Sequence, residues 1–126
     1  MSQYLFEEET YQIIGLLFEV HKNLGKGFSE IVYKDALELE FKNATIPFER
    51  EKEYSVNYKG NILKHKFYAD FVVFDEIILE IKSCDSFVDS HISQCINYLK
   101  VSDKQLALLV NFNKTSLVHK RIVNSK

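Results

Sequence analysis

The 126-residue chain is predicted to fold as an α/β domain with a mixed central sheet flanked by helices. Three features carry that prediction. Apolar residues recur first at helical spacing and then in short strand-like runs, and a helical stripe returns between the last apolar runs. The two greasiest runs, Phe67 to Phe74 and Ile77 to Lys82, are interrupted only by Asp70, Glu80 and Lys82. Strands apolar on both faces sit centrally in a sheet, where ionised groups are rare unless paired or bound to a metal.

The elements follow in chain order. From about Glu8 to Leu24, Ile13, Leu17, Val20 and Leu24 form the stripe of an amphipathic helix, and Gly25 is placed to end it. After the loop Gly25-Lys26-Gly27, Ser29 is positioned to cap a second helix running to about Asn43. Glu30, Tyr33, Leu37 and Phe41 share one stripe of it, which puts Glu30 on the inward face. An acid in a first turn is also favoured simply by the helix dipole. Beyond Pro47 the texture becomes β: Phe48 to Tyr58, a turn at Lys59-Gly60-Asn61, Ile62 to Phe74, a turn at Asp75-Glu76, then Ile77 to Ser83. That is a three-stranded meander. A helix from about Val88 to Val101 buries Ile92, Cys95, Ile96 and Leu99, leaving Gln94 and Tyr98 side by side on its flank. Gln105 to Phe112 is a further strand, and Leu117 to Val123 a last edge strand. Because a helix joins the third strand to the fourth, their pairing is expected to be parallel.

Composition narrows the function classes. With 46% hydrophobic and 27% charged residues, residues 1–126 read as one globular domain. A net charge of −2 argues against a basic, non-specific nucleic-acid coat, but not against an enzyme that needs acids to hold a metal. No apolar stretch approaches the roughly 18 residues of a membrane helix, and Glu7, Glu8 and Glu9 lack the basic start of a signal peptide. A cytoplasmic location without membrane contact is therefore expected. Cys84 and Cys95 lack a CxxC spacing, and His21, His65, His91 and His119 lack metal-ligand spacing, so packed, reduced thiols and no zinc site are expected. Gly25-Lys26-Gly27 is too short for a phosphate loop and follows a helix instead of a strand.

The three charges in the apolar runs carry the chemistry. Side chains alternate along a strand, so Glu80 and Lys82 share a face. If Asp70 converges on Glu80 from the neighbouring strand, two carboxylates about 4 Å apart repel by about 4 kcal/mol at an effective dielectric near 20. Lys82 offsets part of that. Two carboxylates with open water positions also match the hard-oxygen preference of Mg²⁺ or Mn²⁺. Lys82 is then placed to orient or deprotonate the attacking water, or to stabilise a pentavalent phosphate. By spacing alone, the same residues also fit an ordinary solvated pair, Glu80 with Lys82, beside a bystander Asp70.

Taken with their neighbours, these residues resemble a known family. Gly27-Phe28-Ser29-Glu30-Ile31-Val32-Tyr33 fits the GxxExxY signature of the GxxExxY proteins, a branch of the PD-(D/E)XK nuclease superfamily. Asp70 stands at that superfamily's aspartate, Ala69 replacing the preceding proline, and Glu80-Ile81-Lys82 at its (D/E)xK. Gln94 to Tyr98 resembles the QxxxY helix of exonuclease-like members. The resemblance implies a restriction-endonuclease-like core of α-β-β-β-α-β order. It implies a nuclease with Asp70, Glu80 and Lys82 as catalytic residues, Glu30 joining Asp70 and Glu80 at the metal, and Gln94 and Tyr98 facing the nucleic acid or bracing the site. Mg²⁺ or Mn²⁺ is the implied cofactor, and nucleic acid the implied partner, DNA in preference to RNA. The alternatives are a non-catalytic nucleic-acid-binding or protein-interaction module on the same fold, or a homodimer paired through the edge near Leu117 to Val123.

Overall fold

The computed structural model describes residues 5–124. Two helices, α1 (Glu7–Leu24) and α2 (Glu30–Asn43), precede three strands, β1 (Phe48–Tyr58), β2 (Asn61–Val73) and β3 (Ile77–Lys82). Helix α3 (Asp89–Ser102) then leads to β4 (Leu106–Asn111) and β5 (Val118–Val123). The sheet runs in the order β1-β2-β3-β4-β5, with β3 and β4 parallel and every other pair antiparallel. This is the predicted mixed α/β sheet, and the strand boundaries fall within two residues of those expected.

Alternation along the central strands sorts the core into two layers. Ile77, Leu79 and Ile81 of β3 with Leu106, Leu108 and Val110 of β4 face α1 and α2, where they meet Ile13, Leu17, Tyr33, Leu37 and Phe41. Ile78, Ala107 and Leu109 face α3, which contributes Cys95, Tyr98 and Leu99. Every residue of β4 is buried, as is β3 up to Ile81, which explains their unbroken apolar sequence. Tyr98 fills the place on α3 that periodicity gave to Ile96, which is 45% exposed. The buried stripe is therefore Cys95, Tyr98 and Leu99 at i, i+3 and i+4, a helical spacing that a polar-tipped ring satisfies as well as an isoleucine.

Local contacts fix the loops near the end of β3. Ser29 occupies the N-cap position of α2 with extended backbone, but its side chain makes no capping bond. The preceding loop is held instead by Tyr33, whose hydroxyl donates to the Gly25 carbonyl at 2.6 Å and accepts from the Phe28 N–H at 3.2 Å. The Tyr33 ring lies flat on Phe112, centroids 4.4 Å apart, tying α2 to the end of β4. Arg50 of β1 reaches back to Asp35 and Glu38 of α2 at 2.8 and 2.9 Å.

Asn111, only 1% exposed, clamps the chain leaving β3. Its side-chain oxygen accepts from the N–H groups of Cys84 and Asn113, and its amide donates to the Cys84 carbonyl at 2.9 Å. At about 1 kcal/mol net per hydrogen bond, Asn111→Ala is expected to destabilise the protein by about 3 kcal/mol, read from urea unfolding. A loss below about 0.5 kcal/mol would mean water replaces the clamp.

Candidate active site

The ladder between β2 and β3 stops where the two acids begin. Backbone pairing covers Phe71 with Leu79, Val72 with Ile78 and Val73 with Ile77, and goes no farther. At the next step the strands exchange side-chain bonds instead. The Asp70 N–H donates to Glu80 Oε2 at 2.8 Å, and the Ile81 N–H donates to Asp70 Oδ2 at 2.8 Å. Each carboxylate thus takes up a strand-edge N–H that the lost ladder would otherwise leave unpaired. The reciprocal bonds wedge the strands apart and hold both acids in the gap.

One strand irregularity aims this gap. Glu51, opposite Asp70 on β1, has a left-handed backbone with φ of 55° in the middle of a strand. Such a conformation costs a non-glycine residue roughly 1–3 kcal/mol and persists only where surrounding contacts enforce it. The contact here is Lys34 of α2, whose ammonium is ion-paired with Glu51 and lies 3.0 Å from Asp70 Oδ1. Burial alone would lower the Lys34 pKa, but the bonds to Glu51 and Asp70 outweigh it and raise the net value. Neither Lys34 nor Glu51 stood out in sequence, because each acts across a long chain separation and from an element with ordinary surface patterning.

Glu80 lies deeper. It is 2% exposed, and burial, with Asp70 beside it, pushes its carboxyl up to about 8 against the pull of the Asp70 N–H, Lys82 and Lys34. Lys82, two residues on and facing the same way, donates from Nζ to Gln94 Oε1 of α3 at 3.2 Å. Its backbone carbonyl accepts from the Phe112 N–H at 3.0 Å, so the strand end is held on the β4 side as well. Gln94 is therefore a brace for Lys82.

Tyr98 and Glu30 differ from their expected placements. Tyr98 is 5% exposed, and its hydroxyl donates to the Tyr68 carbonyl at 2.9 Å, securing α3 to β2 just before Asp70. It braces the site from the core and does not face solvent. Glu30 is exposed at the start of α2 and not on its inward stripe. Among the described residues no group of three or more His, Cys, Asp or Glu is gathered to hold a metal. Lys34, one turn along α2 from Glu30, takes the position beside Asp70.

The two thiols do not join the site chemistry. Cys95 is buried behind Glu80, and that burial pushes its thiol up to about 12; Cys84 is partly exposed, and both are free.

The donor set nevertheless fits a hard divalent cation. Asp70 and Glu80 bring two carboxylates together where the β2–β3 ladder ends, the hard-oxygen donors that Mg²⁺ and Mn²⁺ prefer.

Comparison with known proteins agrees with this fold. The fold is shared with the crystal structure of SSO0001, at a TM-score of 0.62 and 24% identity, over 78% of this chain and 51% of that one. The present chain thus spans about half the length of that protein. It is also shared with an alkaline exonuclease from Laribacter hongkongensis, at a TM-score of 0.55 and 11% identity, covering 99% of this chain and 73% of that one. The same exonuclease in complex with dAMP gives a TM-score of 0.51 and 14% identity, covering 94% and 83%. At these identities the likeness is one of fold. No curated protein matches the sequence. Residues 7–122, from the first helix to the last strand, match the family model of the PD-(D/E)XK nucleases. An aspartate and a glutamate bridged across splayed strands, with a lysine two residues beyond, lie inside that match, and the chain belongs to the PD-(D/E)XK nuclease superfamily.

Proposed function

We propose that this protein is a metal-dependent nuclease that hydrolyses phosphodiester bonds in DNA. The observation that carries the reading is the exchange of bonds between Asp70 and Glu80 where the β2–β3 ladder ends, with Lys82 on the same strand and face. Superfamily membership and the fold shared with an exonuclease support it. In this reading residues 5–124 act as one nuclease-like domain. It belongs to the GxxExxY branch, whose glycine would be Gly27, with φ of 106°, and whose tyrosine would be the loop-holding Tyr33.

Asp70 and Glu80 would hold the cation, and Mg²⁺ or Mn²⁺ there would supply Lewis-acid polarisation of the phosphoryl oxygen and a more acidic water. The remaining work falls to the chain. Burial favours the neutral form of Glu80, so its carboxyl would have to lose its proton to act as a ligand. Lys82, held by Gln94, directs Nζ at the attacking water or at the charge that develops on phosphorus-bound oxygen. Lys34 neutralises Asp70 until a cation replaces it. The water oxygen bonds to phosphorus and its proton passes to solvent, the bond to the leaving oxygen breaks, and that oxygen takes up a proton from solvent.

The test is cleavage of labelled linear, circular, single-stranded and branched DNA, with RNA as a control, in Mg²⁺, Mn²⁺ and EDTA. Cutting that requires metal is the expected result. DNA binding with no cutting under any condition would make the protein a binding module on a nuclease fold.

Lys34 offers a check that needs no catalysis. If the ammonium and an entering divalent cation sat about 6 Å apart, removing the ammonium would relieve about 1.4 kcal/mol of repulsion at a water-like dielectric. Lys34→Met is therefore expected to tighten Mn²⁺ binding about tenfold in titration calorimetry. Weaker binding would show that Lys34 is needed to shape the site.

A further inference from the structure

The β1–β2 hairpin extends well past the rest of the sheet. β2 pairs with β3 only from Phe71 to Val73, so residues 61–69 have β1 as their only neighbouring strand, with the register irregular over residues 63–65, and they project from the end of the sheet where Asp70 and Glu80 lie. The tip is a tight two-residue turn in which Lys59 and Gly60 both have positive φ, 54° and 85°, the backbone that suits a twisted ribbon.

One side of this ribbon has a structural task. Tyr54 and Phe67 pack toward α3, with Phe67 edge-on to Tyr98 at 5.9 Å. Alternation turns Lys66 and Tyr68 away from α3, onto the free side of the strand that leads to Asp70. On that side the Tyr68 hydroxyl donates to Glu53 Oε1 across the ribbon at 3.4 Å, and its ring is 47% exposed. Tyr58, on the other face at the last pair before the turn, is 57% exposed, and the Lys59 ammonium lies 5.5 Å from its ring centre.

Charge is segregated in the same way. Between Glu53 and Asp70 the chain has Lys59, Lys64, His65 and Lys66 and not one acid, giving +3 inside a protein whose net charge is −2. Among the described residues none of these lysines forms an ion pair, although nearer the core the charges of β1 are paired, Glu49 with Lys52, and Arg50 and Glu51 with residues of α2. Exposed rings interleaved with unpaired ammonium groups match the alternation of base and phosphate in an unpaired strand. A duplex hides its base faces and would leave the rings idle.

We propose that the outer limb of the β1–β2 hairpin is a docking arm for single-stranded DNA, with Tyr58 and Tyr68 stacking on bases and Lys59, Lys64 and Lys66 engaging phosphates. The arm rests on the nuclease reading for where it delivers the strand, to Asp70 and Glu80, but not for the binding itself.

The experiment measures fluorescence anisotropy of one labelled oligonucleotide as single-stranded DNA, blunt duplex and RNA, in EDTA so that nothing is cut. Wild type is expected to bind single-stranded DNA most tightly. Tyr58→Ala and Tyr68→Ala are each expected to weaken it about tenfold, while Tyr58→Phe, which keeps a ring, stays close to wild type. The double variant Lys64→Gln/Lys66→Gln is expected to lower the slope of log affinity against log salt by about 1.4. Thermal melting of each variant checks that the fold is intact. Preference for duplex or RNA, or tyrosine variants that bind as wild type does, overturns the arm. Metal-dependent hydrolysis of bis(p-nitrophenyl) phosphate, too small to reach the hairpin, separates the two ideas. Arm variants should retain it. If wild type lacks it but still binds single-stranded DNA through the tyrosines, the nuclease reading fails and the arm stands.

Discussion

Lys82→Ala is expected to lower DNA cleavage by about 100- to 10,000-fold while the protein melts within a few degrees of wild type. The rate loss is that of removing one positioned donor or proton-transfer group from a hydrolytic site. The fold tolerates the change because Lys82 ends β3, and among the described residues its side chain bonds only to Gln94, at 3.2 Å. The backbone bond that holds the strand end, from the Phe112 N–H to the Lys82 carbonyl, does not depend on the side chain. Alanine therefore removes charge without opening the core. Mn²⁺ binding by calorimetry should be retained, since the ligands are Asp70 and Glu80, and slightly tightened by the loss of a neighbouring positive charge. Undiminished cleavage would remove Lys82 from the mechanism. Lost cleavage together with lost metal binding would instead make it a structural prop of the carboxylates.

Much of this site was legible because it violates the pattern around it. An ion in an apolar strand run is conspicuous in one dimension, and Asp70, Glu80 and Lys82 are all of that kind. The strands themselves followed from period and turn chemistry, since β3 and β4 can only be apolar throughout if both faces are covered. What failed was direction on helices. Glu30 extends the stripe of Tyr33, Leu37 and Phe41 on paper, but the buried stripe begins at Tyr33 and Glu30 stays exposed. Ile96 and Tyr98 exchanged roles because hydropathy ranks isoleucine above tyrosine, whereas the tyrosine hydroxyl has a carbonyl to bond. Lys34, Glu51 and Asn111 had no local signature at all. Lys34 and Asn111 act through side-chain bonds across 36 and 27 residues of chain, and no glycine or asparagine marks the left-handed turn of Glu51.

Glu80→Gln is expected to abolish metal-dependent cleavage, by about a thousandfold or more, and yet to stabilise the metal-free protein above neutral pH. Both effects come from one carboxyl group with no room for its charge. Burial and Asp70 push the folded-state value up to about 8 from the ordinary 4.5. Because the shift is upward, the contribution to stability is complete below about pH 4.5 and is lost as pH rises through about 8. Glutamine can still accept the Asp70 N–H but has no charge to develop, so it escapes that loss. In EDTA, the stability of wild type relative to Glu80→Gln should fall by on the order of 2 kcal/mol between about pH 5.5 and 7.5, measured by urea unfolding. Mn²⁺ should reverse the ranking, raising the melting temperature of wild type alone. Cation and proton compete for the same oxygens, so wild-type affinity should climb up to tenfold per pH unit below about 8, with proton release visible in buffers of different ionisation enthalpy. A stability difference that does not vary with pH would mean Glu80 is ionised throughout in the folded protein, with Lys34 and Lys82 compensating it in full before any cation arrives.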